Sequence, residues 1–141
     1  MEAPVKLDSS AFLADPELIQ ALEKDSTAIS CGEDRVLFKQ GDCPQGLYIV
    51  DQGEITLTMD SPSGKNVMRI QAHPGSLLGL PGLLGNGAYT LSAIAPVGSR
   101  LSFVPRDNFT SLMQSDPRLS FKILQVLAAE LRSARQALSV G

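Results

Sequence analysis

The single histidine of this chain restricts the catalytic chemistry that its side chains could perform. His73 lies in the tripeptide His73-Pro74-Gly75, which is a turn signature. A jelly-roll metal site takes two or three histidines with a carboxylate, and a Ser-His-Asp triad also requires a histidine. We therefore interpret His73 as a solvated turn residue and predict no catalytic residues, no metal ligands, no cofactor and no enzymatic activity. Paired carboxylates such as Asp51 and Glu54 stay open as an acid–base alternative.

The two cysteines do not form a redox or metal-binding motif. Cys31 and Cys43 are separated by more than the two residues of a Cys-x-x-Cys pair, and an iron–sulfur cluster normally takes four thiolates. We expect both thiols to be reduced, as is usual in a reducing compartment. A disulfide or a redox switch is the alternative.

The composition indicates a soluble globular protein with one domain. The 141 residues are 43% hydrophobic and 19% charged, which is enough apolar material for a core. No apolar run reaches the roughly 20 residues of a membrane span, and residues 1–6 lack the basic start and apolar stretch of a secretion signal. We predict a cytoplasmic protein without membrane contact. The net charge of −3 also argues against a direct nucleic-acid partner.

Short segments with a period of two residues predict β-strands from Ile29 to Val104. The strand candidates are Leu37 with its neighbours and residues 47–50, 55–59, 67–70, 92–95 and 100–104. Turn-forming residues separate them, as at residues 61–64 and 73–75. Many short strands with frequent turn signals predict a sandwich, a jelly roll or a barrel.

Helices are predicted on both sides of the strands. Residues 8–13 are typical of a short helical turn, and Asp15 and Pro16 then supply an N-cap and a first helical residue. Helix returns at residues 106–109. After Asp116 and Pro117 the pattern predicts one long helix that reaches nearly to the end of the sequence.

Three segments carry a resemblance to a known family. Residues 35–42 (RVLFKQGD) lead into residues 46–53 (GLYIVDQG), and residues 75–82 (GSLLGLPG) follow. With the order helix, β-roll, helix and long helix, they closely resemble the cyclic-nucleotide-binding domain of the Crp/Fnr, or catabolite activator, family. The resemblance implies a mainly β fold with flanking α-helices. That fold is a double-stranded β-helix, or jelly-roll-like β-roll, with N-terminal helices and a long C-terminal helix.

The resemblance covers essentially the whole chain. It implies one cyclic-nucleotide-binding-like domain over residues 1–141, with N-terminal helices over about 1–28, the β-roll over 29–105 and C-terminal helices over 106–139. The helix-turn-helix domain that comes next in the family's transcription factors is not predicted.

The resemblance also locates the nucleotide site of the family. There the glutamate of a Gly-Glu pair binds the ribose, and the arginine of an Arg-Ser/Thr-Ala triplet binds the cyclic phosphate. The positions that match the site are Gly79, Leu80, Tyr89 and Thr90, so leucine and tyrosine replace the two charged residues. Because a charged hydrogen bond contributes roughly 1.5–3 kcal/mol, losing both lowers affinity by at least about two decades. We predict a degenerate nucleotide site.

An apolar wall surrounds these positions in the sequence. Its members are Leu77, Leu78, Leu80, Leu83, Leu84 and Leu91. The first interpretation is a collapsed pocket that completes the core. The second is a site for an apolar or weakly polar effector, to which Tyr89 and Thr90 contribute hydroxyls. A nucleotide held by other residues is the third.

The long C-terminal helix carries leucines with heptad spacing. The predicted seam consists of Leu124, Leu127, Leu131, Ala134 and Leu138. Phe121 and Ile123 lie beside the seam and are expected to face the β-roll. In the Crp/Fnr family this helix forms a parallel homodimer interface, so the resemblance implies a homodimer through the same residues. The alternative is that the seam covers the core of the monomer.

Together these observations favour a regulatory sensor or interaction module for signalling in which the nucleotide contacts are lost. Its expected partners are a second copy of the chain, a protein partner or an unidentified small ligand. One alternative is a genuine cyclic-nucleotide or small-molecule sensor with unorthodox contacts. The other is the effector half of a Crp/Fnr-type transcription regulator that lacks its DNA-binding domain.

Overall fold

The period-two segments form a β-roll in the computed structural model, which describes residues 5–6, 9–85 and 87–139, with side chains for 9–85 and 87–135. The strands are β1 (Val5–Lys6), β2 (Thr27–Ser30), β3 (Arg35–Phe38), β4 (Gly46–Gln52), β5 (Ile55–Asp60), β6 (Asn66–Ala72), β7 (Leu77–Leu78), β8 (Ser92–Ala95) and β9 (Arg100–Pro105). The helices are α1 (Pro16–Glu23), α2 (Leu80–Leu84), α3 (Arg106–Ser115) and α4 (Pro117–Ser139), and a 3₁₀ helix (Ser9–Phe12) precedes α1.

Each of the two sheets combines strands from distant parts of the chain. The first sheet has the order β1-β6-β5-β8-β3, and the second has the order β2-β9-β4-β7. The paired strands are antiparallel except for β1 and β6, which are parallel. The predicted mainly β, jelly-roll-like fold with a long C-terminal helix is confirmed.

The roll begins earlier in the chain than residue 29, where the sequence pattern placed its start. Val5 of β1 pairs with Met68 of β6, and Thr27 of β2 pairs with Phe103 of β9. Residues 5–6, expected within the N-terminal helical segment, are therefore strand. A two-residue strand is too short to show a period, so pairing across the fold defines it.

The first α-helix begins where the sequence predicts it. The Asp15 carboxylate accepts a hydrogen bond from the Glu17 amide at 2.8 Å, and Pro16 is the first helical residue. Leu18 and Leu22 are fully buried in a cluster that β4, α2, α3 and α4 also build. This cluster attaches the helices to the second sheet. A separate cluster, to which both sheets contribute, fills the interior of the roll.

One face of α4 packs on the body of the domain. Its buried residues recur at spacings of four and three: Leu119, Ile123, Val126, Glu130 and Ser133. The expected inward position of Ile123 is confirmed, whereas Phe121 is 61% exposed and does not face the β-roll. Among the described residues, no helix is both long enough and apolar enough to cross a membrane.

The predicted seam of α4 is only partly exposed. Leu124 and Leu131 are 56% and 60% exposed, but Leu127 packs against the helix cluster and Ala134 lines a cavity. The side chain of Leu138 lies outside the described residues. The exposed apolar residues that recur at three- and four-residue spacing, which we call the α4 strip, are Phe121, Leu124, Ala128 and Leu131. The inward face of α4 determines which residues form the α4 strip. Leu127 and Ala134 lie beside that inward face, so they are not part of the strip.

Candidate functional site

A cavity of about 320 Å³ lies between α4, the first sheet and the segment that follows α2. Its walls are largely apolar, and they include three aromatic rings and two thioethers. The lining residues are Phe12, Phe38, Leu57, Met59, Met68, Gly79, Pro81, Tyr89, Thr90, Leu91, Glu130, Leu131 and Ala134. A concave apolar site with few polar groups is the usual form of a small-molecule site.

Gly79 is required by the backbone at one wall of the cavity. It precedes α2 with φ of +93°, in the left-handed region that favours glycine. A Cβ atom at this position would lie 2.7 Å from Cε1 of Tyr89. The next residue, Leu80, is fully buried in the helix cluster and is not among the cavity-lining residues. The structure therefore brings Gly79 to the cavity but not Leu80.

Tyr89 forms an aromatic wall and uses its hydroxyl within the protein. The hydroxyl donates to the main-chain oxygen of Gly46 at 2.8 Å, and the ring stacks on Phe38 with 4.0 Å between centroids. Burial raises the pKa of Tyr89. Its amide also donates to the Asp42 carbonyl at 2.9 Å, which ties the segment to the β3–β4 loop. The ring is thus available to a ligand, while the hydroxyl already has a partner.

Thr90 and Leu91 continue the wall beyond Tyr89. Thr90 is exposed and lines the cavity, and Leu91 is partly buried beside it. The structure therefore brings Gly79, Tyr89 and Thr90 to one cavity, although these residues come from two separated segments.

The apolar wall divides between core and surface. Leu77, Leu78, Leu80 and Leu83 are buried in the core, whereas Leu84 is 42% exposed. The interpretation that these leucines complete the core holds for the four buried members. The expectation of a collapsed pocket is wrong, because the space beside Leu91 remains open.

Glu130 is the charged residue of the cavity, and the sequence analysis did not predict it. It lies on α4 and is 7% exposed, and within the part of the chain that the structure describes its Oε1 has no hydrogen-bond partner. Burial raises the pKa of Glu130 to about 8. Its signal in the sequence is its position four residues after Val126 and seven after Ile123, on the inward face of α4.

The other candidate side chains take separate partners away from the cavity. Nδ1 of His73 lies 3.3 Å from Oε1 of Glu54, and both side chains are exposed. Asp51 accepts a hydrogen bond from Ser102 at 2.6 Å. Burial, reinforced by the nearby Asp51 carboxylate, raises the pKa of Glu23. Asp51 and Glu54 therefore interact with different residues.

The cysteines lie in different environments. Cys31 is buried, Cys43 is exposed, and neither forms a disulfide. The disulfide alternative is therefore not realised. Within the described residues, no group of three or more His, Cys, Asp or Glu side chains could hold a metal ion.

Comparison with known families identifies the domain. Residues 29–116 match the model of the cyclic nucleotide-binding domain, which is more than half of the chain. The chain belongs to the cyclic nucleotide-binding domain family. This finding confirms the predicted family. The match includes the β-roll from within β2 onward, α2 and all of α3, and it stops before α4.

Individual relatives agree with this assignment. The cyclic nucleotide-binding domain is 31% identical to the cyclic AMP receptor protein of Thermus thermophilus over 70% of this chain and 45% of the receptor. It is 27% identical to the lysophospholipase nte1 of Neurospora crassa over 84% of this chain and 8% of that protein. The crystal structure of the Thermus thermophilus catabolite activator protein superimposes with a TM-score of 0.77 at 26% identity, covering 89% of this chain and 59% of that one.

Acidic and basic residues are unequally represented in the lining of the cavity. Among the described residues that line it, Glu130 is the one with an acidic side chain, and none is lysine or arginine. The chain also spans less than half of the length of the Thermus receptor and less than a tenth of the lysophospholipase.

Proposed function

We propose that this cyclic nucleotide-binding domain is a regulatory module that senses a small molecule other than a cyclic nucleotide. The observation that supports the proposal is the cavity, which both Tyr89 and the acid Glu130 line. The resemblance in sequence matches Tyr89 to the position of the family's arginine. The described lining residues offer no cation to a phosphate. The role is regulatory, without catalysis.

The electrostatics disfavour an anionic ligand in two ways. A cyclic nucleotide would lose the charged hydrogen bonds that its phosphate accepts from the family's arginine and that its ribose donates to the family's glutamate, each worth roughly 1.5–3 kcal/mol. It would also enter an apolar cavity without a counter-charge, where an unpaired buried charge is costly. Glu130 would have to remain protonated to avoid direct repulsion. The expected loss relative to a nucleotide-binding member of the family is at least about two decades of affinity.

Isothermal titration calorimetry with cyclic AMP and cyclic GMP tests the loss of nucleotide binding. We expect no complex at micromolar concentration. A one-to-one complex with a Kd below about 10 µM, near −7 kcal/mol, would overturn this part of the proposal. Native mass spectrometry of the purified protein, compared with denatured protein, tests for a retained small molecule that is not a nucleotide.

We also propose that α4 forms a symmetric contact with a second copy of the domain. The supporting observation is the α4 strip, in which three large apolar side chains are more than half exposed on one helix face. Their spacing over nearly three helical turns fits the contact of two aligned helices. We expect a dimer at micromolar concentration, measured by sedimentation equilibrium.

The target of the regulation is proposed to lie outside the domain. The chain corresponds to 45% of the length of a protein named as a cyclic AMP receptor and to 8% of one named as a lysophospholipase. Similar domains occur within proteins whose names indicate different activities. Such a domain is suited to regulate an activity that another part of the protein or another protein carries out. The effector half of a transcription regulator is therefore the second candidate. Its test is a search for an attached or co-purifying DNA-binding domain.

A further inference from the structure

Glu130 interrupts an otherwise mostly apolar face of α4. Leu119, Ile123 and Val126 precede it on that face and pack into the helix cluster. One turn beyond Val126 the same face passes over the cavity, and there the sequence has glutamate. A leucine or valine would be the ordinary residue at such a position, because charged side chains are rarely buried without a partner.

The carboxyl group of Glu130 is left without a hydrogen bond at one oxygen. Oε1 has no partner among the described residues, although Glu130 is more than nine-tenths buried. Buried polar groups are almost always paired, and an unpaired one destabilises the fold. An acid that is held at the wall of an open cavity and lacks a partner suggests that the partner comes from the cavity.

We propose that the cavity binds a molecule with an apolar body and one basic nitrogen, and that Glu130 is the acid that holds this nitrogen. The proposal rests on the proposed function as a small-molecule sensor and names the class of its ligand. A primary amine is the simplest member of the class, because its ammonium group can donate to the free oxygen of the carboxylate.

The remaining walls fit the apolar body of such a ligand. Phe12, Phe38 and Tyr89 supply aromatic rings, and Met59 and Met68 supply adaptable thioethers. The rings also attract a cation, since their faces carry partial negative charge. The volume of about 320 Å³ is at the lower end of small-molecule pockets, which favours a compact ligand.

Few polar groups at the cavity could compete with Glu130 for the nitrogen of the ligand. The Tyr89 hydroxyl already donates to the Gly46 carbonyl. The 3₁₀ helix, β3, β5 and β6 contribute apolar side chains to the lining, and the exposed Thr90 adds a hydroxyl. On α4 itself the neighbouring cations, Arg132 and Arg135, are exposed. Glu130 is therefore the acid that an amine would meet.

If an amine binds, Glu130 should release a proton to solvent, and the affinity for the amine should therefore depend on pH. The pKa of Glu130 is raised to about 8, so near pH 7 its free carboxyl is largely protonated. An alkyl ammonium has a pKa near 10 and arrives charged. The ion pair forms when Glu130 gives its proton to solvent, so affinity rises from pH 6 to pH 8 and falls as the solution is acidified.

The test uses three probes that differ only in the head group: 4-phenylbutylamine, 4-phenylbutanol and 4-phenylbutanoate. We expect the amine to bind the wild-type protein at least about tenfold more tightly than either of the others, as one charge-assisted hydrogen bond predicts. In Glu130→Gln the advantage of the amine over the alcohol should disappear. Glu33→Gln, the same change at an exposed acid, should retain it.

Several results would overturn the proposal. One is an unchanged amine affinity in folded Glu130→Gln protein, and another is wild-type affinity that does not increase between pH 6 and pH 8. The pH series and the three-probe comparison need only wild-type protein, so they decide the matter even if the variant does not fold. Preference for the alcohol or the acid would refute the ligand class and leave the sensor function intact. Absence of binding by all three probes would count against both the ligand class and the sensor function.

Discussion

Two buried polar side chains at the cavity are satisfied to different degrees. The Tyr89 hydroxyl donates to a main-chain carbonyl, so its burial costs little beyond its own desolvation. Glu130 Oε1 has no such partner in residues 9–85 and 87–135, whose side chains are described. In the free protein Glu130 therefore destabilises the fold at any pH above about 4.5, where the same side chain is ionised in the unfolded chain, and this is measurable without a ligand.

Glu130→Gln should change the pH dependence of stability. The folded-state pKa is about 8, above the ordinary value of 4.5. Folding then favours the protonated acid, so the penalty is absent below pH 4.5 and grows by roughly 1.4 kcal/mol per pH unit until about pH 8. Urea unfolding from pH 5 to pH 8 should show wild-type stability falling relative to Glu130→Gln. Parallel pH profiles for the two proteins would contradict the burial of an uncompensated acid.

The sequence predicted some cavity residues and missed others for a physical reason. The family resemblance assigned Gly79 and Tyr89 to one site, and both line the cavity. Glu130 lies within a long helix whose apolar residues occupy several faces, so spacing alone did not indicate which face turns inward. Leu80 follows Gly79 directly, yet it packs away from the cavity because α2 starts there.

At the scale of elements, the phase of α4 is the main difference from the prediction. The heptad pattern selected Leu127 and Ala134 as interface residues, but the body of the domain occupies their side of the helix. Leu124 and Leu131 belong to both the predicted seam and the α4 strip. The predicted seam and the α4 strip are rotated from each other by part of a helical turn. The sequence of α4 alone does not choose between them, because the choice depends on which side of the helix packs on the β-roll.

Leu124→Glu is the appropriate test of the α4 strip, because Leu124 is exposed and does not line the cavity. In a symmetric dimer the substitution places two like charges in an apolar contact. We expect the dimer dissociation constant to rise by at least about tenfold, or about 1.4 kcal/mol. Sedimentation equilibrium measures this change, and circular dichroism checks the fold.

Val36→Glu is the matched control for the strip. Val36 is 49% exposed on β3, and glutamate there adds the same charge to a different apolar surface. Its dissociation constant should equal that of the wild type. A wild-type protein that remains monomeric at about 100 µM would end the proposal of a dimer through α4.

At the scale of the whole molecule, the charge balance predicts no direct DNA binding by this chain. There are 12 basic and 15 acidic side chains, whereas DNA-binding domains concentrate positive charge on one face. We expect no mobility shift of duplex DNA with micromolar protein at physiological salt. A sequence-specific, salt-dependent shift at nanomolar protein would revive a direct role in transcription.

The order of elements was predictable, while the cavity was not. Alternation, turn residues and the Asp15-Pro16 helix start each report on a local stretch of chain, and together they predicted the helix–roll–helix order. The cavity depends on how segments as distant as the 3₁₀ helix and α4 meet. No local pattern encodes the space that such segments leave between them.

Leu131 belongs to two surfaces at once, because it lines the cavity and is a member of the α4 strip. A side chain shared by two binding equilibria couples them. Thermodynamic linkage then requires that an amine changes the dimer constant by the same factor by which dimerisation changes the affinity for the amine. The domain would thus convert the concentration of a small molecule into an assembly state, and a dilution series with and without amine would measure the coupling in both directions.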